Sequence, residues 1–284
     1  MLKWRVGDVT ISKIVEFEQD SIDATMLLPD AAPAAVQRIG WLRPHFANDT
    51  GLILMSFHAL VIDTPTRKIL VDTCVGADKE RGIPMLDRLK WPFLEHLTQA
   101  GYSREAIDTV VCTHLHIDHV GWNTMLVNGR WVPTFPKARL LLEAAEFQHW
   151  RTQESDAVHR QVFADSVAPV WDAGLVELVA SNHQICEEVR LIPTPGHTPG
   201  HVSVQITSRG EEAIITGDMI HHPCQFAHPD WATSIDFDAA QSTRSRHQLF
   251  AEVTDKPVLV IGTHFVSPTA GHVVRDGDAY RFVV

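Results

Sequence analysis

The segment Thr113-His114-Leu115-His116-Ile117-Asp118-His119-Val120-Gly121 places three histidines and one aspartate within six residues. Imidazole nitrogen and carboxylate oxygen are natural donors for zinc and similar divalent cations. A run this dense in both reads as a metal-ligand motif before it reads as a polar loop or a histidine pair capping a core. The chemistry such a site offers is hydrolysis. A bound cation polarises the oxygen of the bond under attack and brings the pKa of water from 15.7 down to about 7.

Donors of this kind must be carried by well-positioned elements. Residues 4–6 and 9–17 read as an opening hairpin around Gly7-Asp8, and residues 52–62 and 68–72 as a second one across a Thr-Pro-Thr-Arg turn. Residues 92–100 read as a helix, with Pro92 at its first turn and Gly101 just past its end. A short apolar strand at 108–113 leads directly into the histidine cluster, and Asn128-Gly129 signals a hairpin turn. Beyond it come a strand at 138–142, helices at 143–150 and 156–171, and buried-type strands at 189–193, 202–207, 213–216 and 258–261. Asp238 caps a helix over 239–253, and the chain closes in a hairpin at Asp276-Gly277. Residues 20–50 form an irregular arm, apolar at Met26, Leu27, Leu28, Trp41, Leu42 and Phe46. It is expected to pack over the domain, at a pocket mouth or a subunit contact.

Strand runs broken by single helices predict one α/β domain over 1–284, an αββα sandwich of two mixed β-sheets flanked by helices. His114, His197, Asp218 and His264 each stand just after a predicted strand, so they can converge at one edge of the sandwich.

Composition narrows the classes. The 284 residues are 45% hydrophobic and 21% charged, the balance of an ordinary globular chain. A formal charge of −11 disfavours nucleic acid and anionic membrane surfaces as partners. No apolar run is long enough for a membrane span, and the N-terminus lacks the apolar stretch of a secretory signal. Cys74, Cys112, Cys186 and Cys224 show no CxxC spacing, so a cytoplasmic setting is expected.

On these residues the chain resembles the metallo-β-lactamase superfamily over nearly its whole length. That family carries HxHxDH, then a distant histidine, a distant aspartate and a last histidine. Here His114, His116, Asp118 and His119 are followed by His197 in Pro195-Gly196-His197-Thr198, Asp218 in Thr216-Gly217-Asp218 and His264 in Gly262-Thr263-His264. An early strand-end signature also appears as Val71-Asp72-Thr73, with Cys74 where glycine is common. The resemblance implies that His114, His116 and His197 hold one metal, that Asp118, His119 and His264 hold the second, and that Asp218 bridges them. Two zinc ions per chain are implied, with manganese, cobalt or iron also suited to a nitrogen–oxygen site. Cations about 3.5–4 Å apart need a shared anionic ligand, and a bridging hydroxide is then the nucleophile.

Asp118 and His221 are expected to take part in the chemistry itself. Some lactonases of the family place a tyrosine at the position of His221; a histidine there could serve as general acid or hydrogen-bond donor, or be a solvated loop residue. Asp72 reads either as an acceptor that orients a ligand histidine or as a strand-end turn residue. His201 reads as structural, beneath the metal loop, and His222 and the other histidines as surface or satisfied core. Trp122, Phe226, Trp231 and Phe265 lie near these loops in sequence and are candidates for the wall of an apolar pocket, although Trp122 and Phe265 fit a core equally well.

The spacing of His197, Asp218 and His264 looks like the lactonase and methyl parathion hydrolase branch, in which an N-terminal extension covers the site and supports dimer contacts. The resemblance thus implies cleavage of a neutral carboxylic ester or lactone, with phosphotriester hydrolysis as the alternative, a thioesterase after that, and a homodimer. The different class is an iron-dependent oxidoreductase of the same fold.

Overall fold

Apolar residues alternate along the N-terminal segment, and Gly7-Asp8 turns it back on itself. In the computed structural model, which describes residues 1–153 and 156–284, this hairpin is β1 (Lys3–Val6) and β2 (Val9–Ile22), with Val6 opposite Val9. The arm follows and holds a short helix, α1 (Pro33–Arg38), with proline in its first turn. Then come β3 (Ile53–Asp63), β4 (Lys68–Val71), α2 (Phe93–Gln99) and β5 (Thr109–Val111). A hairpin of β6 (Thr124–Val127) and β7 (Arg130–Pro133) turns at Asn128-Gly129, both in the left-handed region.

The chain continues through β8 (Arg139–Glu143), α3 (Ala144–Thr152), α4 (Ala157–Ser166), α5 (Ala168–Asp172) and β9 (Val176–Val179). Next are β10 (Val189–Pro193), β11 (Val202–Ser208), β12 (Glu211–Ile215), α6 (Cys224–Ala227) and α7 (Ala239–Val253). Last come β13 (Val258–Ile261), β14 (Ala270–Asp276) and β15 (Ala279–Val283).

Two sheets result. One has seven strands in the order β1-β2-β3-β4-β5-β8-β9, and the other six in the order β10-β11-β12-β13-β14-β15. Val6, Val9, Ile11, Leu60, Val111 and Leu141 of the first meet Leu191, Val204, Ile206 and Ile261 of the second in a shared core. Helices cover both outer faces: Phe93, Phe147, Val162 and Val170 pack on the first sheet, and Leu249, Phe250 and Val253 on the second. The architecture is an αββα sandwich.

Parallel pairing decides where the site forms. β4, β5 and β8 run parallel in one sheet, and β12 and β13 run parallel in the other. Parallel neighbours end at the same edge, so the loops that follow them are brought side by side. Asp72 and His114 leave adjacent strands in this way, as do Asp218 and His264.

Three expectations change. The helix expected over 156–171 is broken between α4 and α5, where Pro169 lacks an amide N–H and disfavours continuation. β2 runs on to Ile22, into the stretch expected to be irregular, and the arm is anchored by buried Ala24, Leu28, Val36, Leu42 and Phe46. β9 was not expected at all. Among the described residues no helix is long and apolar enough to cross a membrane.

Candidate metal centre

The cluster is assembled from loops at the two sheet edges. Asp218 lies at its middle, 2% exposed. Its Oδ2 stands 3.2 Å from His119 Nε2, 3.8 Å from His114 Nε2 and 3.7 Å from His197 Nε2, while Oδ1 stands 3.2 Å from His264 Nε2. Asp118 stands 3.6 Å from His119 Nε2 and 3.5 Å from His264 Nε2. His116 Nδ1 and His197 Nε2 approach to 2.9 Å. All seven residues singled out by motif are therefore brought together, with Asp218 between the His114–His116–His197 group and the Asp118–His119–His264 group.

Neighbours aim these rings. Asp72 accepts a hydrogen bond from His119 Nδ1 at 2.9 Å and from the Thr113 backbone N–H at 2.7 Å, which ties the ends of β4 and β5 together. His114 Nδ1 meets the Thr113 hydroxyl at 3.0 Å, and His264 Nδ1 faces the Ser56 carbonyl at 3.2 Å. His201 Nε2 accepts the Asp218 backbone N–H at 2.9 Å. Burial, above all, and the charge of His197 hold His201 down to about 3, so it is a neutral acceptor beneath the loop, in keeping with a structural role. Gly217 is required there: its φ is +56°, and a Cβ would come within 2.6 Å of that same nitrogen.

Burial, above all, and the neighbouring imidazoles keep His114 and His116 well below the ordinary histidine value, so each ring is held neutral with one nitrogen lone pair. Burial opposes a charge on His119 as well, but the carboxylates of Asp218, Asp118 and Asp72 outweigh it and hold that ring up. Asp218 is buried, yet His119, His264 and His221 keep its carboxyl ionised, well below the usual range.

A test of fit comes from atoms left without partners. Buried polar atoms in folded proteins are almost always hydrogen-bonded. Here His114 Nε2, His119 Nε2, Asp218 Oδ1 and both ring nitrogens of His221 have no hydrogen-bond partner among the described residues. His114, His116 and His197 form one group whose donor atoms all lie within 4.8 Å of one another, Asp118, His119 and His264 another, and Asp218 adds a third with His114 and His119. A nitrogen–oxygen donor set with converging, unpartnered atoms fits divalent cations.

Two supporting residues escaped the sequence reading. Asp236 accepts from His197 Nδ1 at 2.9 Å; burial opposes its charge, but that bond and the charge on His197 carry it down to about 2. Glu146 accepts the Leu115 N–H at 2.9 Å through one carboxylate oxygen and the Gly200 N–H at 3.0 Å through the other, clamping two ligand loops. Neither belongs to a recognisable motif, so no local signal marks them.

A cavity of about 1190 Å³ opens onto Asp118, Asp218, His221 and His264. The four aromatic candidates do not line it. Trp122 stacks on Phe93 and donates its indole N–H to Glu16 at 2.6 Å. Phe226 stacks between Phe250 and Phe282, and Phe265 packs on the same group. Trp231 is half-buried against His228 and the core beneath. Short separation along the chain did not carry these rings to the cavity, because their side of each loop faces the sheet. The walls come instead from the arm (Met26, Leu27), from β3 (Leu54, Phe57) and from the loop after β4 (Ile83, Met85). His45 and His159, read as ordinary surface or core histidines, also line it.

Residues 58–264 match the family model described as the metallo-beta-lactamase superfamily. An N-acyl homoserine lactonase of Bacillus sp is 25% identical over 167 residues, which are 58% of this chain and 59% of that lactonase. The match thus spans about three-fifths of the relative's length. AidC, a dizinc quorum-quenching lactonase solved with a product, superposes with a TM-score of 0.80 at 22% identity, covering 99% of this chain and 96% of that one. The hydrolase AbOPH of the beta-lactamase superfamily gives 0.81 at 22% identity, with 99% and 96% covered. At that identity the likeness to these two is one of fold. The family model spans well over half of the sequence, and the chain belongs to the metallo-β-lactamase superfamily.

Proposed function

We propose that this chain is a metal-dependent hydrolase of neutral carboxylic esters, lactones first among them, and that it holds two divalent cations, zinc by default. The observation that carries the reading is the conjunction of the Asp218-centred cluster with an apolar cavity that ends on it. Among its described lining residues there is no lysine or arginine to pair with an anionic group away from the metal-binding end. The carboxylates at the mouth, Asp20 and Asp23, repel one. The lactonase relative supports the choice of a lactone.

His114, His116 and His197 would hold one cation, Asp118, His119 and His264 the other, with Asp218 shared. Cations bound there would supply Lewis acidity toward the carbonyl and water made acidic enough to attack at neutral pH. The protein's own contribution is positional. Asp72, Asp236 and the Ser56 carbonyl hold Nδ1 of His119, His197 and His264, which turns the opposite nitrogen of each ring inward. Met26, Leu27, Leu54 and Phe57 give the acyl chain an apolar bed and exclude water around it. Asp118 lines the cavity and, at 16% side-chain exposure, is the more open of the cluster's two carboxylates. It is placed to take a proton at Oδ and return it to the leaving oxygen.

The same bed and the same absence of cations suit a neutral phosphotriester, so the assay must compare the two. Acid release at constant pH by zinc-loaded protein, with an acyl lactone and a phosphotriester in parallel, is expected to favour the lactone and to stop on chelation. Faster phosphotriester turnover would replace the lactone reading. Turnover of neither would remove both.

A further inference from the structure

His221 and His222 are adjacent, both buried, and opposite in character. His222 is fully employed: Nε2 donates to the Phe46 carbonyl at 2.9 Å, and Nδ1 accepts the Cys224 N–H at 3.2 Å. His221 is 2% exposed, and neither ring nitrogen has a hydrogen-bond partner among the described residues. Its backbone is nonetheless fixed, since the side chain of Gln225, itself buried, accepts the N–H of His221 at 2.7 Å and that of His222 at 3.3 Å. The turn therefore holds an unsatisfied imidazole in one place.

That place is the middle of the cluster. His221 Nε2 lies 3.0 Å from Asp218 Oδ2, nearer than the Nε2 atoms of His114, His119 or His197, yet not aligned to donate to it. The rings of His197 and His264 flank it at 4.8 and 5.8 Å. His197, Asp218 and His221 form a group whose donor atoms lie within 4.8 Å of one another. Two donors side by side without a hydrogen bond are aimed at a common third point, as metal ligands are.

We propose that His221 is a further metal ligand, which joins His114, His116, His197 and the shared Asp218 around one cation. The inference rests on the divalent-metal reading above. It gives that position four imidazoles and a carboxylate, more than the four ligands of a closed tetrahedral zinc site, and so suits a cation that accepts five or six donors.

Cobalt(II) tests this without reference to turnover. Metal-free protein is titrated with cobalt against a chromophoric chelator while the visible absorption, which strengthens as coordination number falls, is recorded. Wild type is expected to take two ions per chain. In His221→Phe one of the two affinities is expected to fall by about 100-fold or more, beyond what loss of an outer supporting residue costs, with a more intense band. Metal-free His221→Phe is expected to be no less stable than metal-free wild type, since an unsatisfied buried ring has been replaced by an apolar one.

If wild type binds two ions and His221→Phe keeps both affinities and the same spectrum, the ligand assignment is wrong while the metal centre stands. If wild type binds fewer than two, the centre itself is wrong. Should His221→Phe fail to fold, His221→Ala decides: recovery of affinity and spectrum with added imidazole supports ligation, and wild-type affinity without it overturns the assignment.

Discussion

Two regions of this molecule bury several charged or ionisable groups, and they do so in opposite ways. In the first, Lys79 and Arg81 of the loop after β4 meet Asp165 of α4, none more than 2% exposed. Arg81 makes a forked pair with Asp165 at 2.7 and 3.0 Å, and Lys79 reaches the Asp165 carbonyl at 3.0 Å and lies over the Trp131 ring at 3.5 Å. Apart from Arg81 Nε, the charged atoms there are matched. In the second, the Asp218 cluster, donor atoms converge and stay unmatched. Evolution tolerates buried charge in either form, but the first arrangement is complete as it stands and the second is complete only with something added.

The contrast can be broken in four places. The largest effect belongs to Asp218→Ala, which removes the carboxylate between the two ligand groups. Loss of turnover well beyond the roughly 10–100-fold of an outer-shell residue is expected, with metal content below wild type. Retained metal and turnover would show that Asp218 bridges nothing. Asp165→Ala attacks the other region and should do the reverse. Stranding two buried cations is expected to cost about 3–5 kcal/mol in urea denaturation, while metal stoichiometry in the folded fraction is unchanged. A fall in stoichiometry would mean that the two regions are one.

Glu16 sharpens the comparison, because it is a buried carboxyl with N–H donors yet no cation. It accepts from the Val75 and Gly76 backbones at 2.9 and 3.1 Å and from Trp122. Burial outweighs these bonds and raises it from 4.5 to about 7. Its folded pKa lies above the unfolded one, so its contribution to stability is fully present below about 4.5 and is lost as pH rises through about 7. The loss is at most on the order of 3 kcal/mol. Denaturation of metal-free protein at pH 5 and pH 8 should show it, and Glu16→Gln should flatten it; identical slopes for the two proteins would refute the shift. The smallest effect is that of Asp236→Asn, which should weaken metal binding by about 10–100-fold and leave the fold intact. Unchanged affinity would make the Asp236–His197 bond incidental.

How much of this was legible in sequence follows from what each feature depends on. The seven ligand candidates stood out because histidine and aspartate are distinctive and each loop follows a strand whose apolar run is plain. The sandwich followed from the same strands. Asp236 and Glu146 were invisible because they act across the fold, and nothing at 236 or 146 differs locally from a surface carboxylate. Asp72 could be seen but not decided, since a strand-end turn and an outer-shell acceptor have the same local sequence. The pocket walls were misplaced for a related reason. Trp122, Phe226 and Phe265 are close to the ligands along the chain but turned toward the core, whereas Met26 and Met85 are distant along the chain and meet at the cavity. β9 reads Val-Glu-Leu-Val with two of its four residues exposed, a pattern too weak to separate from a loop.

The carboxylates at the cavity mouth have a consequence for the timing of the reaction cycle. Ester or lactone cleavage turns a neutral molecule into an acid that ionises at once. Asp20 and Asp23 lie on the way out, and Glu18 beside them is offset by Lys13. A newly formed anion would meet cations only at the metal-binding end of the cavity, since its lining holds no lysine or arginine among the described residues, and it passes fixed charges of its own sign at Asp20 and Asp23. On the hydrolase reading, a lysine at position 20 or 23 should strengthen end-product inhibition relative to wild type.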